Sequence, residues 1–459
     1  MVTRDASPSG IATYSNGLGL SVMLYLTQVG QCPLIAPPAV EVRRCASTAH
    51  PRRHVALLID DLGAGGVQRM ALTLAGGLVD RGCRADLVVC RATGPLRKFV
   101  PDGVNLVELE PARYGLGRLY ALAADLASFR ELLRPVLLRW KAPRDLVYLP
   151  DLVRYLQQEQ PCALLAATPY LNLGAVWAKR LANATRTRIS VSERHNLSFR
   201  IQSKPRQRAL PPLIRRTYAM ADAIVAVSKT VADDLGSVAG IPRHSITTIY
   251  NPVITPNLSS RAGESTDHPW FAPGAPPVVL SVGRLAPVKD FPSLVRAFAR
   301  VRAVRDARLM ILGEGKDAPE TARRRAELMA LATELGIASD VDLPGFAHNP
   351  LAYMARAAVF ALSSTWEGFG NVLVEALACG CPVVSTDCPS GPAEILDRGR
   401  YGRLVPVGDA AAMAEAILAT LDAPPDPNVL RARGALFSAD RAVESYLAAL
   451  FGTPAAASA

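Results

Sequence analysis

The sequence predicts an α/β protein made of two doubly wound, parallel-sheet domains that face each other across a cleft. Two observations predict this. A buried strand, a glycine loop and a helix follow one another twice, once from Val55 and once from Val278. A Ser-, Gly- and Pro-rich stretch separates the two series. The 459-residue length fits two such domains, and at 50% hydrophobic residues both can hold large cores.

Residues 1–50 hold only a short, polar-interrupted apolar run and a proline-rich stretch. They are expected to be a disordered extension outside the fold. The first domain is expected over residues 51–250. Val55–Ile59 is a continuous apolar run, as in a strand buried on both faces. The loop Asp60–Arg69 follows, with Gly65 and Gly66, and then a helical pattern through Leu78. Further strands are predicted at Arg84–Cys90, Val104–Leu109, Ala163–Thr168, Arg188–Asn196 and Ala221–Thr230, the last taken as the final strand of this domain. Ser228 is a predicted helix N-cap. Lys204–Arg216 is basic and proline-containing, and is expected to be a mobile loop near the cleft.

Residues 251–277 are the predicted linker. The second domain is expected over 278–440, and residues 441–459 form a C-terminal helix and tail. Here Val278–Val282 leads into Gly283–Asp290, a loop carrying Arg284 and Lys289. Such a pair can serve one diphosphate, Arg as a fork and Lys as a point charge, or be two ordinary surface cations. Leu309–Gly315, a strand at Leu343 followed by Gly345 and Phe346, and a short helix at Pro350–Arg356 come next. Asp340-Val-Asp342 is taken as structural.

The centre of the chain is Leu362–Gly380. A buried strand, Ala357–Leu362, runs into a loop with Glu367, Gly368, Phe369 and Gly370. A helix then starts with Asn371 as its expected N-cap and stops at Gly380. Free N–H groups and the helix dipole favour an anion at such a start. Glu367 and Glu375 flank it with seven residues between them. Each could accept a sugar diol, and Glu375 could equally be a helix-start carboxylate with no ligand.

Charge is uneven. Residues 51–250 hold 29 basic and 16 acidic side chains, and residues 251–459 hold 19 and 22. A basic first domain fits an anionic partner. Between Pro111 and Leu156, Arg113, Arg118, Arg130, Arg134, Arg139, Lys141 and Arg144 alternate with Leu116, Leu119, Tyr120, Trp140 and Tyr148. This is the composition of a membrane-surface helix, and also of an amphipathic helix with arginine stems along its edges. Eight cysteines form no Cys-x-x-Cys pair, and six histidines complete no metal-ligand spacing. The thiols are expected to be reduced.

The stretch Glu367-x7-Glu375, together with Ser281–Asp290 and Asp387–Leu396, resembles the signature of the family-4 retaining glycosyltransferases, which have the GT-B fold of two Rossmann-like domains. The resemblance runs from about His54 to about Phe451. It implies a nucleotide-sugar donor, a UDP-sugar favoured, held by the second domain. It also implies a glycan or polyprenyl-diphosphate-sugar acceptor on the first domain, as in enzymes that build bacterial surface polysaccharide. Arg284 and Lys289 would neutralise the departing diphosphate. Glu367 would contact donor-sugar hydroxyls, and Glu375 would bind the ribose diol. Phe369, Gly370 and Asn371 would offer backbone donors. Gly283, Gly345 and Phe346 would line the nucleotide site, the loop at Gly345 and Phe346 meeting the base. Gly65 and Gly66 match the loop facing the acceptor.

Family members carry a cleft histidine near the end of the strand at Arg188. Glu193, Arg194, His195 and Asn196 stand there instead, and the residues leave open which of them serves. The resemblance implies no cofactor, no metal and no nucleic-acid partner. It places the protein in the cytoplasm, peripheral on the inner face of the plasma membrane. Another GT-B enzyme, such as a sugar-nucleotide epimerase, and a non-catalytic nucleotide-sugar-binding protein are the alternatives.

Overall fold

The computed structural model describes residues 53–63, 65–138, 143–203 and 207–452. The extension 1–50, Arg139, Trp140, Lys141, the start of the 204–216 stretch and the tail lie outside the described residues. Two all-parallel sheets form the frame. The first has seven strands: β1 (His54–Ile59), β2 (Arg84–Val89), β3 (Val104–Glu108), β4 (Ala163–Ala166), β5 (Arg188–Glu193), β6 (Ala223–Ala226) and β7 (Ile246–Thr248), in the order β3-β2-β1-β4-β5-β6-β7. The second has six: β8 (Val278–Val282), β9 (Arg308–Leu312), β10 (Val341–Gly345), β11 (Val359–Leu362), β12 (Val383–Thr386) and β13 (Arg403–Val405), in the order β10-β9-β8-β11-β12-β13.

Parallel strands need covering helices on both faces, and the side-chain alternation shows it. In β1, Ala56 and Leu58 enter one core while Val55, Leu57 and Ile59 enter another. Each sheet reverses its strand order once, between β1 and β4 and between β8 and β11. Ligand crevices in such sheets open beyond the strand C-termini at that reversal. The loops there are Asp60–Gly63 after β1, Gly283–Asp290 after β8 and Ser363–Gly370 after β11.

Two expectations need correction. The first sheet ends with β7, not with the strand near Ala223; Ile246 is buried and β7 pairs in parallel with β6. The expected loop at Lys204–Arg216 is helical from Leu210 through Tyr218. Pro211 and Pro212 fall in its first turn, where missing N–H groups cost nothing. The stretch Tyr401–Asp409 contains β13, a short edge strand.

The last helix, α5 below, covers Ala439–Phe451. It returns to the first domain, where Val443, Tyr446 and Leu450 join the core of β1 and β2. Arg188 donates to the carbonyl of Leu450 at 2.9 Å. The six described cysteines are free, and burial pushes the Cys379 thiol up to about 12, which leaves it unreactive.

A polar cluster lies under the first sheet. Asp86 is fully buried; it accepts from Tyr155 Oη at 2.8 Å, pairs with His54 Nε2 at 2.9 Å and faces Arg84. Burial alone would raise its pKa, but the bonds from His54 and Tyr155 and the nearby charges hold it below the usual carboxylate value. A depressed folded pKa contributes stability above the unfolded value of about 3.9 and loses it as pH falls through the folded one. Asp86→Asn is therefore expected to cost about 1.5–3 kcal/mol at pH 7. Urea midpoints across pH 2–7 should show the gap between variant and wild type closing only below about pH 4.

Candidate active site

The site is built from two helix starts facing each other. In the first domain, α1 (Gly66–Asp80) begins behind Gly65. A Cβ on Gly65 would stand 2.4 Å from Gln68 Oε1, so a side chain there would have to displace the Gln68 amide from Asp61. Gln68 and the Gly63 amide both bond Asp61 Oδ1, at 3.0 Å each. Arg91 ties Asp60 and Asp61 together at 3.2 and 3.1 Å. These carboxylates shape the glycine loop and are taken up by it.

Before the facing helix, α3 (Asn371–Ala378), the first domain contributes α2 (Lys229–Ala239), capped by the Ser228 hydroxyl as expected. The N-cap of α3 is Gly370, not Asn371. Its φ of 97° is a left-handed conformation that glycine adopts without strain. Asn371 is thereby the first helical residue, and its side chain accepts from Asn251 Nδ2 at 2.8 Å. A Cβ added to Gly66 would lie 3.7 Å from Asn371 Nδ2. The two helix starts thus converge on one space, where their N–H groups and dipoles would act together on any anion placed there.

Lys289 and Glu367 meet beside it. Lys289 Nζ donates to Glu367 Oε1 at 2.5 Å, and Ser364 Oγ donates to the same oxygen at 2.7 Å. Glu367 is 9% exposed. The Lys289 stem runs over Gly283, where a Cβ would stand 3.2 Å from Lys289 Cε. Arg284, in the same loop, is exposed and makes no ion pair among the described residues. The neighbouring loops interlock through glycines: Gly313 donates to the carbonyl of Gly345 at 2.8 Å, and a Cβ on Gly313 would strike the carbonyl of Gly283. Gly345 ends β10 with a φ of 99°, and Phe346 beyond it is half exposed.

Glu375 is half-buried one turn into α3. Burial raises its pKa, and Arg69 on α1 and Arg261 pull the other way. Arg69 brings first-domain charge to this carboxylate, a link with no signal in the sequence.

The residues at the end of β5 point three ways. Glu193 is 2% exposed, faces inward and is bonded to Tyr218 and Asn172; burial raises its pKa. Arg194, also buried, donates to Asn251 Oδ1 at 3.0 Å and to Tyr446 Oη at 2.7 Å. His195 reaches the cleft: its ring lies 5.2 Å from that of Trp366, and a Cβ on Gly368 would stand 2.7 Å from its Nδ1. Trp366 also stacks on Phe199 of the first domain at 4.3 Å. Trp366, Phe199, Asn251 and Tyr446 were not singled out from the sequence. Trp366 adjoins Glu367, and Asn251 is the first residue of the predicted linker 251–277, so position is the one clue the sequence offers.

One group among the described residues is close enough to take a metal, His54, Asp86 and Glu159. Arg84 is ion-paired with both carboxylates, which fills the place of a cation. Asp340 pairs with Arg302 and Arg308, and Asp342 with His268.

The sequence also matches known families. Residues 64–255 match the model described as Glycosyltransferase Family 4, and residues 276–423 match Glycosyl transferases group 1. A Campylobacter jejuni N-acetylgalactosamine-N,N'-diacetylbacillosaminyl-diphospho-undecaprenol 4-alpha-N-acetylgalactosaminyltransferase is 37% identical over 46% of this chain and 53% of its own. The lipopolysaccharide core biosynthesis glycosyltransferase LpsE of Rhizobium meliloti is 38% identical over 32% of this chain and 39% of its own. The chain thus spans about half or less of the length of these curated relatives. Anabaena Alr3699/HepE, solved in complex with UDP, superposes with a TM-score of 0.67 at 21% identity, over 87% of this chain and 100% of that one. The paired sheets and the two matched models make this chain a family-4 glycosyltransferase of the GT-B fold.

Proposed function

We propose that this protein transfers a hexose or N-acetylhexosamine from a nucleotide-sugar, a UDP-sugar favoured, to a lipid-linked diphosphate sugar during surface-polysaccharide synthesis, with retention at the anomeric carbon. The observation that carries the reading is the meeting of the α1 and α3 starts beside the Lys289–Glu367 pair, with Arg284 exposed on the same loop as Lys289. Charge grows on the leaving diphosphate as the glycosidic bond breaks. Preorganised cations and N–H groups aimed at that charge are the largest source of rate in such sites. Arg284 and Lys289 supply counter-charge to the diphosphate, and Phe369, Gly370 and Asn371 supply N–H donors. Glu367 orients the donor sugar, and Glu375 takes the ribose diol. Glu367 is held by Lys289 and Ser364, so it serves better as a fixed acceptor than as a covalent nucleophile. Front-face attack within an ion-pair-like transition state then accounts for retention. The lipid-linked acceptor is supported by the activity for which the Campylobacter relative is named, and the UDP donor by the HepE complex.

Membrane contact on the acceptor side has support in the first domain. Leu116, Leu119, Leu126, Phe129 and Leu138 are exposed near Arg113, Arg130 and Arg134 in the chain. No helix of the described residues is long and apolar enough to cross a membrane. Contact of this kind would be peripheral, on apolar tips and arginines.

A panel of nucleotide-sugars in a thermal-shift assay tests the donor. A ligand at 100 times its Kd stabilises the protein by about 2.7 kcal/mol. One UDP-sugar is expected to raise Tm for wild type and to lose most of that shift in Arg284→Ala. The same sugar should then pass to an undecaprenyl-diphosphate-linked acceptor. A well-folded protein that no nucleotide-sugar stabilises would end this reading.

A further inference from the structure

The run Asp387–Leu396 belongs to the family signature, yet no residue in it has a part in the chemistry above. Its carboxylate, Glu394, stands in a four-residue helix, α4 (Pro392–Ile395), in the second domain. Both of its oxygens leave that domain. They accept from the backbone amide of Lys229, at 3.1 and 3.0 Å, at the start of α2 in the first domain. The α2 dipole favours a carboxylate there. Oε1 also accepts from the Tyr250 hydroxyl at 2.5 Å, on the segment joining the domains.

The same segment is packed against the donor loop. Gly391, directly before α4, has a φ of 102°, and a Cβ there would come within 1.7 Å of the Phe369 carbonyl oxygen. A Cβ on Gly370 would touch Ile395 Cδ1 at 3.6 Å. The Tyr250 ring stacks on Phe369 at 5.5 Å, and Phe437 meets both rings edge-on. Arg433 holds α4 from behind through the carbonyls of Glu394 and Ile395. A continuous, close-packed path therefore runs from the first-domain amide, through Glu394 and Gly391, to Phe369 and Gly370.

We propose that Glu394 is a positioning residue: by engaging the α2 start it transmits the approach of the acceptor domain to the donor loop and sets the phosphate-binding amides in register. The idea rests on the transferase reading for its consequence, but not for its geometry. Close packing is what makes such transmission work, since interlocked backbones cannot move separately. A small misplacement of the reacting groups far from the chemistry is enough to slow it.

Two variants separate this role from plain stabilisation. Glu394→Ala removes the acceptor. Lys229→Pro removes the donor N–H along with the side-chain charge: Pro is tolerated at the first helical position, and Ser228, with φ −152° and ψ 163°, already has the extended shape that precedes a proline. Lys229→Ala keeps the amide and controls for the lost charge. Hydrogen exchange on the ligand-free proteins is expected to quicken in peptides over residues 368–373, as well as at the α2 start, in Glu394→Ala and Lys229→Pro but not in Lys229→Ala. The first two are expected to lose roughly ten-fold or more in kcat. Unchanged exchange over 368–373 would overturn the proposal, whatever happens to stability. Faster exchange there in a protein whose wild type transfers no sugar would sink the transferase reading and leave the coupling standing.

Discussion

Lys289→Ala is expected to lower kcat/KM for glycosyl transfer by about 10²–10³-fold, the usual effect of removing one preorganised donor from developing negative charge. The side chain is held in place on two sides. Its stem crosses Gly283, and its ammonium is fixed on Glu367, which itself accepts from Ser364. Removing the cation has a second effect, because it leaves Glu367, at 9% exposure, without its counter-charge. Breaking a fully buried pair costs about 3–5 kcal/mol. This pair retains some solvent contact, with side chains 17% and 12% exposed, so the loss is expected at or below the lower end. Lys289→Ala with Glu367→Gln separates the two effects, since the amide needs no counter-charge. The double variant should recover most of the lost Tm and none of the lost activity. Since Glu367 also contacts the donor in this reading, activity is read against Glu367→Gln alone: equal kcat/KM in the double variant and in that single variant would make Lys289 a structural cation and remove it from the chemistry.

Gly391→Ala is expected to be the most damaging single methyl in the site. Its Cβ would lie 1.7 Å from the Phe369 carbonyl oxygen and 2.4 Å from the carbonyl carbon, and the backbone φ of 102° disfavours any side chain. Overpacking against backbone and strain at positive φ each cost about 1–3 kcal/mol. The relief open to the chain is to push the donor loop away, so nucleotide-sugar protection should be lost together with stability. Gly115→Ala is the control: nothing lies within 4 Å of its Cβ, it sits in the helix Tyr114–Ala124, and it should be neutral or stabilising by up to about 1 kcal/mol. Denaturant midpoints and the thermal shift with donor check both. A Gly391→Ala protein that binds donor normally would show that the loop tolerates displacement.

The sequence alone determined the repeating architecture and the candidate donor loops. Apolar runs of strand length, each followed by glycines and a helical pattern, are local features, and parallel strands buried on both faces make them strong. The same locality marked Ser228 as a cap, and it placed Glu367, Glu375, Arg284 and Lys289 in loops or helix starts at strand ends. Local patterns failed where neighbours in space decide. β7 and β13 are three residues each, too short for periodicity, and exist because a long sheet offers them an edge. Gly370 became the cap of α3 because the chain must turn there in a left-handed conformation, which displaced Asn371 into the helix and toward Asn251.

Only the tertiary structure decided the roles of side chains at the end of β5. Glu193, Arg194 and His195 are consecutive, and pleating and the turn after the strand send the first into the core, the second to the terminal helix and the third to Trp366. Phe199 on Trp366 and Glu394 on Lys229 are contacts between residues more than 160 positions apart, and the charge of Arg69 reaches Glu375 across a longer separation. No local pattern carries that information, because such pairs are created by two domains meeting, and each partner by itself is compatible with an ordinary solvated surface.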